Sequence, residues 1–116
     1  MKTTKLNGRA ILSVITLGVT FISGTAQAMD AEAAQALARQ NNCFKCHSVE
    51  KKKDGPAYKE VAAKYKGKAD AQERLVKHLT TGEKAKFPDG HEEEHKIIKA
   101  KDPADIKNLV DWILAQ

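Results

Sequence analysis

The chain is poor in the residues that usually announce a function. Its 116 residues hold two cysteines, two methionines, one tryptophan, two tyrosines and three phenylalanines. With only Cys43 and Cys46 available, a disulfide framework is excluded, and one bridge across so small a loop would stabilise little. Aromatics are 5% of the chain and form no stripe with basic residues, so a nucleic-acid-binding surface is not supported. No segment shows sustained two-residue alternation, which argues against a sheet. Repeats, low-complexity tracts and interdomain linkers are also lacking.

No apolar run is long enough for a comfortable membrane span; the most apolar stretch is Ala10–Ile22. Lys2, Lys5 and Arg9 precede it, and "SGTAQA" with Ala26 and Ala28 follows it. A positive start, an apolar middle and small residues before a cut describe a secretory signal peptide over residues 1–28, cleaved after Ala28. The working domain is then residues 29–116, because removing 28 of 116 residues leaves 88. Three of the twenty basic residues leave with the signal, so seventeen face fifteen acids and the balance falls from +5 to +2. Eighty-eight residues form one domain whose side-chain core is marginal, and such domains usually recruit a metal or prosthetic group.

The remaining pattern is helical. Ile106, Leu109, Val110, Ile113 and Leu114 share one face of a closing helix, with Asp102 as N-cap and Pro103 at its first position. Ala33, Ala34, Leu37 and Ala38 share a face of an opening helix over about Asp30–Asn42, small enough for a close helix crossing. "PAYKEVAAKYKGK" and "ADAQERLVKHLTTGE" predict two more helices, ending near Gly67 and Gly82. The expected fold is all-α, about four helices, with a loop-rich insert over Glu83–Lys101.

Cys43-Phe44-Lys45-Cys46-His47 is C-x-x-C-H, the attachment pattern of c-type haem. In a helical turn, residues i and i+3 lie on one side, so both thiols can reach neighbouring vinyl groups of one porphyrin. His47, at i+4, then faces the iron from the same side. A redox dithiol would want a βαβ setting, and a zinc site a second cysteine pair; the chain offers neither. One covalently attached haem c is therefore the expected cofactor.

With that pentapeptide, the helix leading into it, "DGPAYKEVAAKYKGK" and the closing "LVDWILAQ", the chain resembles the short bacterial class I cytochromes c over essentially all of Met29–Gln116. The resemblance implies a class I cytochrome c fold, with opening and closing helices crossing around one haem. It implies that Pro56 offers its carbonyl to the Nδ1 proton of the ligating His47, and that Tyr58, Tyr65 and Trp112 pack near the macrocycle. Each of those aromatics could equally be ordinary core.

One departure stands out. The family usually supplies a methionine to the iron from a loop before the last helix, but this chain has only Met1 and Met29. His95 falls almost where that methionine would fall, so His47 and His95 are the expected axial pair, with His91 as the alternative distal ligand. His78, inside an amphipathic helix, reads as a plain surface histidine. His91-Glu92-x-x-His95 also matches the zinc-protease pattern H-E-x-x-H, which needs a helix, a third ligand and a substrate cleft.

The expected function is therefore a periplasmic monohaem electron carrier, a monomer and not an enzyme, serving redox partner proteins. Lys51, Lys52 and Lys53 could rim an acidic partner's docking site, or simply be solvated. The alternatives are a haem protein whose displaceable or open distal site binds a gas such as nitric oxide and, more remotely, a zinc hydrolase.

Overall fold

A computed structural model describes residues 28–116, so the segment expected to be a signal peptide lies, apart from Ala28, outside the described residues. Among those described, no helix is long and apolar enough to cross a membrane.

Helix α1 spans Ala31–Gln40, and its start is chemically marked: Asp30 accepts a hydrogen bond from the Ala33 N–H at 2.9 Å. The last helix, α4, spans Pro103–Leu114 and begins in the same way, with Asp102 accepting from the Ala104 N–H and proline in the first turn. The two helices pack together through Ala34, Leu37 and Ala38 on one and Leu109, Val110 and Ile113 on the other, all buried. Full burial of a side chain such as Leu109 or Val110 contributes about 1.5–3 kcal/mol. A polar tie secures the crossing at its edge. Asn108 accepts from the Asp30 N–H and donates to the Asp30 carbonyl, both at 2.8 Å.

Two shorter helices complete the frame. Helix α2, Tyr58–Tyr65, starts where Glu60 reaches back to the Ala57 N–H at 2.8 Å. Helix α3, Ala71–Thr81, buries Leu75 and Leu79 and stops at Gly82, whose φ of +68° suits glycine. Both pack against α4.

The insert expected to be all loop contains a small antiparallel ribbon. Strand β1, Lys84–Lys86, pairs with β2, Glu92–Glu94, in the register Lys84↔Glu94, Ala85↔Glu93, Lys86↔Glu92. Three-residue polar strands bury no apolar face, so they leave no alternation to read in a sequence; opposite charges across the ribbon supply the pairing preference instead. The frame is otherwise four helices, as expected.

Candidate haem site

Directly after α1 the chain enters a short 3₁₀ turn, Cys43–Lys45, preceded by Asn42 with a left-handed φ of 58°. The His47 N–H closes on the Cys43 carbonyl at 3.0 Å and the Cys46 N–H on the same oxygen at 3.2 Å. One helical turn thus brings Cys43, Cys46 and His47 to the wall of a single cavity of about 950 Å³. That is at the upper end of the range for small-molecule and cofactor sites. Leu75, Leu79, Ile98, Leu109 and Ile113 contribute its apolar wall.

His47 is held by its outer nitrogen. Nδ1 lies 2.8 Å from the Pro56 carbonyl, which can only accept, so Nδ1 carries the proton and Nε2 keeps its lone pair. Tyr58 stacks on the ring, with centroids 5.2 Å apart and planes 16° apart. The residue that makes this fit possible is Gly55. A Cβ there would lie 2.4 Å from His47 Cε1 and 2.7 Å from Nδ1, closer than packed atoms can sit. Gly55 also donates to the Cys46 carbonyl at 2.7 Å, drawing the loop across the imidazole.

His95 faces His47 across the cavity, the ring centroids 6.2 Å apart and the planes 50° apart. Its Nδ1 lies 3.0 Å from the Lys96 carbonyl, so here too the outer nitrogen is bonded and Nε2 is left as donor to a metal. Burial pushes the His95 pKa down, with the neighbouring His78 and His47 adding to the effect, which favours the neutral ring that metals bind. The spacing fits a bound haem. Two metal–imidazole bonds of about 2 Å in line, with about 1 Å from each nitrogen to its ring centre, place the centres about 6 Å apart. The donor set, the ring spacing and the cavity are compatible with a haem held between the two rings.

Tyr58 is buried between three rings. It meets Trp112 edge-on at 5.5 Å and Phe44 at 6.1 Å. Burial raises the pKa of the Tyr58 phenol and of the Cys43 thiol alike. Pro56, Tyr58 and Tyr65 reach the cavity wall. Trp112 stands behind Tyr58 and belongs to the core that supports the wall.

The remaining histidines separate sharply. His91 is exposed, stacked on Phe87 at 4.4 Å, with Nδ1 paired to Asp89 and Nε2 3.1 Å from Glu93. Both its nitrogens are engaged at the hairpin tip. The residues between His91 and His95 are strand, where four positions span about 13 Å, not one helical turn. Among the described residues no group of three or more His, Cys, Asp or Glu side chains converges to hold a metal ion. The H-E-x-x-H match therefore lacks the helix its chemistry needs. His78 departs from the surface reading: it lines the cavity, its ring centroid 4.3 Å from that of His95.

Asn41 was missed by sequence reasoning altogether. It is the buried polar residue of the core; its amide donates to the carbonyls of Leu37 and Lys99 at 3.0 and 3.2 Å and accepts from the Lys99 N–H at 2.9 Å. It ties the end of α1 to the segment that follows His95. An Asn-Asn pair after a helix suggests only a C-cap, so nothing in the sequence signals that partner.

These features define a class: a single helical domain built to carry haem on a C-x-x-C-H turn. The sequence pattern of the cytochrome c family matches residues 31–116, and the chain belongs to that family, as a small class I monohaem c-type cytochrome. Its cofactor is covalently attached haem c, which the Cys43/Cys46 arrangement fits. More particularly, it is 46% identical over 78 residues to cytochrome c-551 of Allochromatium vinosum, covering 67% of this chain and 80% of that one. It is 39% identical over 105 residues to cytochrome c-552 of Nitrosomonas europaea, covering 90% and 94%. Among solved structures, the class 1 cytochrome MtoD of Sideroxydans lithotrophicus ES-1 is 68% identical, with a TM-score of 0.73 over 76% of this chain and 97% of that one.

Proposed function

We propose that the protein is a periplasmic one-electron shuttle whose haem iron is held between His47 and His95. The observation that carries this reading is the facing pair of imidazoles 6.2 Å apart, each bonded outward through Nδ1 to a backbone carbonyl.

Bound haem supplies a one-electron iron couple. The chain does the rest. Cys43 and Cys46 would anchor the macrocycle, and the carbonyls of Pro56 and Lys96, bonded to Nδ1 of His47 and His95, would fix the tautomer of each imidazole and strengthen it as a donor. Leu75 and Leu79 of α3 and Leu109 and Ile113 of α4 offer an apolar wall to the macrocycle. Replacing the family's usual methionine with imidazole removes a ligand that raises the potential, so this carrier works at a lower one. With both faces of the iron engaged, the reading is of a carrier and not a catalyst.

Lys51 and Lys52 lie exposed beside the haem turn and provide a rim for an acidic redox partner. Lys53 has a different task, donating to the Phe44 carbonyl at 2.7 Å. Export accounts for covalent attachment and for the leader, with the working chain starting at Met29.

Electron paramagnetic resonance of the oxidised protein tests the ligand pair. Wild type is expected to give a low-spin, two-imidazole signal that disappears in His95→Ala, while the reduced variant binds carbon monoxide promptly. A signal untouched by the substitution would reject His95 as ligand.

A further inference from the structure

His78 stands in a closed circuit of contacts with His95 that electron carriage by itself does not call for. Its ring lies against the His95 ring, centroids 4.3 Å apart and planes 44° apart. Its Nδ1 is 3.2 Å from Glu83 Oε2, while Glu83 Oε1 takes the Lys77 ammonium at 3.2 Å. Glu83 also closes the circuit through its backbone, accepting from the His95 N–H at 2.9 Å. Gly82 permits this, because its positive φ turns the chain at the end of α3 so that Glu83 addresses both histidines.

An imidazole bound to a metal through Nε2 can still rotate about that bond. On His95 the Nδ1 contact to Lys96 opposes rotation with one weak restraint made by an adjacent residue. A second ring set against it at a tilt, itself carried on a helix and held by a carboxylate, adds a further restraint.

We infer that His78 is a positioning residue for the distal ligand: held by Glu83 and packed on His95, it sets the plane of the His95 imidazole relative to that of His47. This rests on the reading of His95 as ligand. The property it controls is the angle between the two axial rings, 50° here. That angle governs how far the iron d orbitals of π symmetry split, and so the spread of g values in the oxidised state.

The test uses the haem-loaded protein, comparing resonance spectra of wild type, His78→Ala, His78→Phe and Glu83→Gln. His78→Ala is expected to retain two-imidazole, low-spin iron but to shift and broaden its largest g value. His78→Phe keeps a flat ring against His95 and loses the carboxylate tie, so a shift without broadening is expected; it also serves if the alanine variant does not fold. Glu83→Gln should move the signal in the same direction as His78→Phe and by less. A two-imidazole wild-type spectrum that is unchanged in His78→Ala, or in His78→Phe where only that variant folds, overturns the positioning role alone. A wild-type spectrum without two imidazoles removes the ligand reading, and this role with it.

Discussion

The two histidine walls of the cavity are constructed differently. On the His47 side the ties are local: Pro56 to His47 and Lys53 to Phe44 each span nine residues, within one continuous loop. On the His95 side they draw on other elements. Asn41 holds Lys99 over a separation of 58 residues and the Leu79 carbonyl of α3 takes the Ile98 N–H, while the Glu83 carbonyl takes the His95 N–H at the foot of the ribbon. A local loop closes at small entropic cost and forms whenever its own residues are right. A long-range wall stands only while the helices it leans on are packed. The same cavity thus has one face that is a motif and another that is a consequence of the fold.

Substitutions can break either face, and the largest effect belongs to the anchor. Cys43→Ala with Cys46→Ala should abolish covalent haem, read as loss of haem colour from the denatured polypeptide. It should also leave a domain that loses its helical circular dichroism on mild heating, because so small a core is marginal without its prosthetic group.

Next is Gly55→Ala, a change of one methyl group on the local face. With His47 Cε1 2.4 Å from the new Cβ, either the loop or the imidazole must move, costing about 1–3 kcal/mol. Loss of the low-spin signal from part of the iron, together with a lower denaturation midpoint, is expected. A fully native spectrum would show that the loop gives way without disturbing the ligand.

Asn41→Ala attacks the long-range face. It strands the Lys99 N–H and carbonyl, a loss of about 1–3 kcal/mol by urea denaturation. The informative readout is asymmetric: carbon monoxide binding by the reduced protein should speed up because the His95 side loosens, while the His47 side is unchanged. Equal loosening on both sides would contradict the contrast between the two walls.

The smallest effect is at the hairpin tip. Bonds to Asp89 and then Glu93 raise the pKa of His91 above its ordinary 6.5. The protonated ring therefore favours the folded tip, fully below about pH 6.5, and that contribution is lost as pH rises through the raised folded value. Being solvent-exposed, it should scarcely alter global stability. Nuclear magnetic resonance titration should find His91 above the ordinary value, and Asp89→Asn should bring it down.

What could be read in advance follows the same division. The C-x-x-C-H turn, the four helices, the capping residue Asp102 and the stop at Gly82 were legible because each depends on neighbours within a turn or two. Even the Pro56 carbonyl was available through family resemblance. The ribbon over Lys84–Glu94 was not, since its pairing is between polar residues that leave no periodic trace. Nor were the places of His91 and His78, expected as an alternative distal ligand and a plain surface histidine. Packing turned one outward onto Phe87 and brought the other against His95.

By itself, then, the sequence determined the class of protein, the anchoring turn and the absence of a loop methionine, because covalent attachment and helix formation are written in short spacings. Only the tertiary structure decided which imidazole faces His47 and what steadies it. That choice depends on where Asn41 and Leu79 hold the segment that follows His95, and hydrogen bonds between remote segments exist only after α1, α3 and α4 have packed.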